Sequence, residues 1–300
     1  KRQVPVSVND RTRFIYEAAC CGLRDFFVKN GYKKACVGVS GGIDSAVVAC
    51  LAVAALGAEN VRGLMMPSQF SSEGSVEDAK QLAENLGIEF HVVPITEAYR
   101  SIVDTLIPVI GGTDFDATEE NIQSRIRTLM LMALQNKNGY VLLNCSNKSE
   151  NALGICTLYG DTGGAFSVTG DLYKTEMYDL ARYINRKFGA PIPENILTKE
   201  PSSELRPNQK DSDMLPSYEV VDAILYRLIE DGQSREEIIN AGFDSDEVQQ
   251  IYAMVMRNEK KRFQYPPVLR LSSSSFGHEY RMPSVSYTHL RAHETLANLV

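Results

Sequence analysis

Apolar residues near the start of the chain fall at Phe14, Ile15, Ala18, Ala19, Leu23, Phe26 and Phe27. That spacing predicts an amphipathic helix over 10–30, ended by Gly31. The period then shortens to a continuous apolar run, KACVGV, which predicts a buried strand over 34–39, and a helix follows over 45–56 with Gly57 as its stop. VRGLMM predicts a second strand over 61–66. Ser75 and Asp78 read as a capping box for a helix ending near Gly87, before a third strand over 88–93. Past an irregular Gly-Gly-Thr-Asp stretch, a helix is predicted over 118–138, with Ile122, Ile126 and Leu129 as its core stripe. A fourth strand over 140–146, a fifth over 164–170 and a helix over 173–188 complete the alternation. Beyond Pro191 the pattern becomes polar and proline-bearing, and two short helices follow, opened at Ser234–Glu237 and at Asp244–Glu247.

Strands alternating with helices imply right-handed crossover units. The fold class is therefore α/β: a doubly wound, mostly parallel five-stranded sheet with helices on both faces and extra C-terminal helices. No internal repeat or low-complexity tract is present. At 300 residues and 44% hydrophobic, the chain can bury a large core.

A net charge of −7 argues against nucleic acid as a partner, because such binding needs a basic surface to release counterions. The longest apolar run, 46–56, is shorter than the roughly 17–25 residues a membrane helix takes, and no signal peptide is visible. None of the six cysteines forms a C-x-x-C pair, which suits reduced thiols and a cytoplasmic location. His91 and His278 have no metal-like neighbours in the sequence and read as structural. The opening KRQVPVSVND reads as a remnant linker over 1–9, following a missing upstream domain. VSYTHLRAHET resembles a translated sequencing adapter, which assigns 285–300 to an artefact, strips His289 and His293 of function, and leaves 10–284 as the domain.

The densest chemistry is in VGVSGGIDS, where the first strand hands over to a helix. A helix N-terminus presents unpaired N–H groups and the positive end of its dipole, which together make an anion site. Gly41 and Gly42 allow close backbone approach and positive φ, and Ser40 and Ser45 add hydroxyls. The spacing is neither that of the lysine-bearing phosphate loop nor the dinucleotide fingerprint. Asp44 inside such a nest would repel a phosphate unless a cation lay between them, so it implies Mg²⁺.

SGGIDS resembles the signature of the PP-loop ATP pyrophosphatases, which cut ATP to AMP and pyrophosphate. Further stretches are similar to the NAD synthetase family: MPSQFSSEGS, TEENIQSRIR, SNKSE, LYGDTGGAF, GDLYKTEMYDLARY, EPSSELRPNQKDSD, LPSYEVVDAIL and NEKKRFQYPP. These motifs run from about residue 35 to about 267, and their wording is nearer the glutamine-dependent members, in which a glutaminase domain precedes the synthetase domain. The resemblance implies amidation of deamido-NAD to NAD in two steps. The nicotinate carboxylate takes AMP from ATP, releasing pyrophosphate, and ammonia then displaces AMP.

Under that resemblance Asp44, Glu150 and Lys174 are the catalytic candidates. Asp44 and Glu150 follow the first and fourth strands, where a doubly wound sheet places its site, and can share one Mg²⁺. Lys174 matches the family lysine that contacts the triphosphate. ATP is expected on Gly38, Val39, Ser40, Gly41, Gly42, Ile43, Asp44, Ser45, Cys145, Lys174 and Ser202. Cys145 stands where relatives often carry threonine, so a hydroxyl contact is lost, whereas Ser202 keeps one. Deamido-NAD is expected on Asn121, Arg125, Glu150, Lys260 and Lys261. Asn121 and Arg125, four apart, share a helix face, while Arg127 lies about 240° around from Asn121 and is expected in solvent or a salt bridge. The family habit is a homo-oligomer, with the long first helix as a candidate interface. Two alternatives stand beside this reading: another PP-loop enzyme resembling GMP synthetase, and a non-catalytic nucleotide-binding remnant.

Overall fold

Consecutive residues of each inner strand point to opposite faces, and both faces are covered by helices. The computed structural model describes residues 8–111, 114–277 and 279–281. Its strands are β1 (Lys34–Gly38), β2 (Val61–Met65), β3 (Glu89–Val92), β4 (Tyr140–Asn144) and β5 (Phe166–Ser167). All pair in parallel, in the order β3-β2-β1-β4-β5, with Ala35 opposite Val61 and Lys34 opposite Tyr140. The order reverses between β1 and β4, so a cleft opens at their carboxyl ends.

The helices up to the third strand are α1 (Val8–Asn30), α2 (Ile43–Leu56) and α3 (Glu73–Leu86), followed by α4 (Thr96–Ile110), α5 (Ala117–Asn138) and α6 (Lys148–Leu153). Beyond them lie α7 (Lys174–Phe188), α8 (Glu194–Thr198), α9 (Tyr218–Ile229), α10 (Arg235–Asn240), α11 (Ser245–Arg257) and α12 (Glu259–Arg262). Ala35, Val37, Val141 and Leu143 pack beneath α1, α2, α3 and α7. Their neighbours Cys36, Leu64, Tyr140 and Leu142 pack beneath α4 and α5. This two-sided burial is why the strands read as unbroken apolar runs. A third cluster joins α9, α10 and α11 to Leu153 of α6 and to Tyr173.

Several expectations need correction. The cap of α3 is Ser72, whose side chain accepts from Ser75 N; Ser75 is thus inside the helix, and Ser75–Asp78 is no capping box. Leu129 is 66% exposed, and the buried stripe of α5 runs through Ile122, Ile126 and Leu131 instead. The fifth strand is only two residues long, and its Ser167 also bridges Val268, so the C-terminal segment lies beside β5. Helices α4 and α9 were unforeseen, although Tyr99, Ile102, Val103 and Leu106 and then Val221, Ile224, Leu225 and Leu228 carry helical spacing. Pro108 lies inside α4 and obscures it. His91 is exposed and meets Glu89. Val8 and Asn9, placed in the linker by the sequence, open α1. Residues 1–7, His278 and the tail over 285–300 lie outside the described residues.

Candidate active site

The loop between β1 and α2 is braced by its own hydroxyls. Ser40 N donates to Ser45 Oγ at 3.1 Å, Gly42 N to Ser40 Oγ at 3.2 Å, and Ser45 Oγ to Gly42 O at 3.1 Å. Gly41 has φ +78°, and a Cβ there would lie 2.2 Å from Ser75 O, so both conformation and space demand glycine. Gly42, at φ −94°, needs no such freedom and simply caps α2. No side chain caps α2, which leaves the N–H groups of its first turn open to a ligand.

Above this loop lies a cavity of about 690 Å³, within the range of pockets that hold a small-molecule ligand. On its floor Lys174 Nζ donates to Asp44 Oδ2 at 2.6 Å and to Glu150 Oε1 at 3.2 Å. Lys174 opens α7, Asp44 lies in the first turn of α2, and Glu150 lies in the first turn of α6, so three helix starts converge. Asn147 caps α6 through Glu150 N and donates to Asp44 Oδ1 at 3.0 Å, tying the Asp44 carboxylate to the start of α6. The Tyr218 ring lies 5.4 Å from Lys174 Nζ. Burial lifts Glu150 above the usual carboxylate range, with Asp44 and Asp211 adding to the lift against Lys174. Burial alone would lower Lys174, but Asp44 and Glu150 outweigh it and hold the ammonium charged.

Helix α5 forms one wall. Ala117, Glu120, Asn121, Ser124, Thr128 and Leu131 line it, and at about 100° per residue they centre on Ser124. Arg127 lies about 60° from that centre and lines the cavity, while Arg125 lies about 100° away on the other side and is exposed. Centring the face on Asn121 therefore put Arg127 in solvent or a salt bridge, and the structure corrects that. Arg127 Nε donates to Met66 O at 3.0 Å and has no ion pair among the described residues. Burial lowers it to about 10. Arg125 Nε donates to Leu158 O at 3.1 Å, outside the cavity lining.

The other predicted residues divide similarly. Gly38, Val39, Ser40, Gly42, Ile43, Asp44 and Ser45 line the cavity, whereas Gly41 sits behind it against α3. Cys145 lines it, with its thiol pushed far up by burial and then by Asp44 and Glu150. Ser202 lines it, with Oγ donating to Gln209 O at 2.6 Å. Lys261 lines it and donates to Gly154 O at 2.7 Å and Cys156 O at 2.9 Å, while Lys260 is exposed. The sequence reading missed Asn147, Tyr218 and Asp161 as well as Arg127. Asp161, in the LYGDTGGAF stretch, is raised by burial although Thr157 N and Ser124 Oγ donate to it.

Known proteins are similar to this chain in sequence and fold. The sequence model of the family described as NAD synthase matches residues 15–265. A glutamine-dependent NAD(+) synthetase of Aquifex aeolicus is 52% identical over 269 residues, covering 90% of this chain and 47% of the relative. The chain thus spans about half the length of the curated relatives it matches. The structure of glutamine-dependent NAD+ synthetase from Acinetobacter baumannii, in complex with ADP, superposes with a TM-score of 0.63 at 39% identity, covering 95% of this chain and 51% of that one. An NMN synthetase from Francisella tularensis superposes at 0.72 with 26% identity, covering 84% of this chain and 95% of that one. With the family match spanning the sheet, the loop at Asp44 and the helices bearing Glu150 and Lys174, the chain belongs to the NAD synthase family.

Proposed function

We propose that the chain is the ligase portion of a glutamine-dependent enzyme and amidates deamido-NAD to NAD. The nicotinate carboxylate attacks the α-phosphorus of ATP, pyrophosphate leaves, and ammonia displaces AMP from the acyl adenylate. The observation that carries this reading is the cavity floor, where Lys174 stands between Asp44 and Glu150 below the open first turn of α2. That turn and Lys174 bind the phosphates, and Lys174 offsets the charge growing on the leaving pyrophosphate.

Mg²⁺ fits the residues present. Asp44 and Glu150 already meet around one positive charge, and two carboxylates are the number Mg²⁺ commonly takes alongside phosphate oxygens and water. Asp44 and Glu150 would hold it, and when bound it would offset the triphosphate's charge. Among the described residues no cluster of three or more His, Cys, Asp or Glu side chains forms an alternative metal site. Arg127 and Lys261, which donate to main-chain carbonyls and pair with no carboxylate among the described residues, are left for the anionic groups of the substrates. Asn121, on the same wall, completes the dinucleotide contacts. Arg125 and Lys260 reach a dinucleotide only where it leaves the cavity, the setting in which a second copy of the chain would matter. Ammonia comes from a glutaminase domain in the full-length protein. The six free cysteines suit a reducing cytoplasm, and no described helix is long and apolar enough to cross a membrane.

Incubation with ATP, Mg²⁺, deamido-NAD and ammonium should yield NAD, AMP and pyrophosphate, and glutamine should not replace ammonium. Deamido-NMN belongs in the same assay as competing acceptor, given the likeness to an NMN synthetase. Folded chain that forms no NAD, or turns over equally well as Asp44→Asn, contradicts the proposal.

A further inference from the structure

Helix α9 carries the stretch LPSYEVVDAIL, to which the reaction assigns no residue. Two of its side chains, Tyr218 and Asp222, are four apart and so lie on one face. Tyr218 faces the Lys174 ammonium, and Asp222 meets Thr175 N and Ser149 Oγ beside the Lys174 main chain. Lys174 opens α7, whose N-cap residue Tyr173 supplies no side-chain cap. The first N–H groups of α7 are satisfied from elsewhere. Lys174 N donates to Ser149 Oγ at 2.9 Å, and Thr175 N donates to Asp222 Oδ2 at 2.8 Å. Ser149 Oγ in turn donates to Asp222 Oδ1, so one carboxylate on α9 holds both donors, one directly and one through a hydroxyl. Asp222 and Ser149 are both buried, and an anion at a helix N-terminus is favoured by the dipole. At the other end of the side chain, the Tyr218 ring lies 5.4 Å from Lys174 Nζ, and Tyr218 OH donates to Asp211 at 2.9 Å.

We propose that α9 is the positioning element for Lys174, with Asp222 fixing its main chain through Ser149 and Thr175 while Tyr218 backs its ammonium. Asp222 and Tyr218 are positioning residues, since they act through Lys174. The arrangement explains why the C-terminal helices pack against the heads of α6 and α7 rather than only extending the core. A lysine held at both ends is aimed at Asp44 and Glu150 before any ligand arrives, which lowers the cost of ordering it during the reaction.

The test is trace acetylation of the 300-residue chain with acetic anhydride, reading Lys174 against Lys148 by peptide mass spectrometry. Lys148, fully buried, touches neither Tyr218 nor Asp222 and meets α9 only at its C-cap Glu230, so it reports opening beyond the Tyr218–Asp222 face. Asp222→Asn should raise the Lys174 labelling rate about fivefold with Lys148 unchanged, as expected of a local opening. Tyr218→Leu should raise it about threefold, and Tyr218→Phe, which keeps the ring, should restore protection. Unchanged Lys174 labelling overturns the proposal, and so does an equal rise at both lysines in soluble variant. Should Asp222→Asn fail to fold, Ser149→Ala removes the bridging oxygen and decides by the same ratio. An activity arm rests on the proposed reaction: Asp222→Asn should lower kcat by about tenfold or more with KM for ATP within about threefold. A parent chain without turnover counts against that reaction, while the labelling ratio still decides the positioning.

Discussion

Two lysines in neighbouring motifs, Lys148 of SNKSE and Lys174 of GDLYKTE, are both buried between two carboxylates, yet their surroundings differ. Lys148 meets Asp171 at 2.9 Å, Glu230, Ser272 Oγ at 2.7 Å and Ser274 O at 2.9 Å, and the Asp171 and Glu230 side chains are only 0% and 2% exposed. Asp171 also accepts from Leu271 N and Ser272 N, both at 2.7 Å, so this cluster clamps the C-terminal segment to the heads of α6 and α7. Lys174 has the same charge pattern, but Asp44 and Glu150 are 18% and 22% exposed and line the cavity. Charge pairing alone therefore does not tell the two lysines apart. Access of their partners to a ligand does.

The comparison can be broken by exchanging the two effects. Lys174→Met should cost about a thousandfold in kcat/KM, the scale of losing one preorganised charge contact, while the melting temperature moves little because water reaches Asp44 and Glu150. Lys148→Met should do the reverse. It strands two buried carboxylates and should cost about 3–5 kcal/mol in urea unfolding, with kcat per folded molecule within about threefold of the parent. A Lys148 variant that melts like the parent but loses turnover would mean that the clamp belongs to the chemistry.

The electrostatics sharpen the contrast by a smaller amount. Burial raises Glu150, so it takes up a proton at a higher pH than an ordinary glutamate, and protonation on lowering the pH removes a carboxylate from the floor. Mg²⁺ binding in the presence of ATP should weaken by about three- to tenfold between about pH 8.5 and about pH 6.5. Burial would also raise Glu230, but hydrogen bonds from Lys148 and Ser273 hold it below the usual range, so Glu230 should show no titration over that interval. A flat Mg²⁺ profile contradicts the pairing of Asp44 with Glu150.

What could be read from the sequence follows the range of the forces involved. The Asp44 loop was legible because a strand, two glycines and a helix start fix it locally, and the crossover pattern placed Asp44 and Glu150 just after the first and fourth strands, at the carboxyl end of the sheet. The phase of α5 was not legible. Whether Arg125 or Arg127 enters the cavity depends on Ser124 being the centre of the wall, which the packing of α5 on the sheet decides. Tyr218 reaches Lys174, and Asp222 reaches Thr175, from about 45 residues away through tertiary contacts, and no local spacing announces them. Lys148 shares the SNKSE motif, yet only its neighbours Asn147 and Glu150 face Asp44 and Lys174.

The most direct measurement is of the two ammonium groups themselves. In ¹H–¹⁵N spectra of the lysine side chains, assigned through Lys174→Arg and Lys148→Met, added ATP and Mg²⁺ should shift the Lys174 signal and leave Lys148 in place. A Lys174 signal that ignores the nucleotide, or one that moves only together with Lys148, contradicts the assignment of Lys174 to the phosphates.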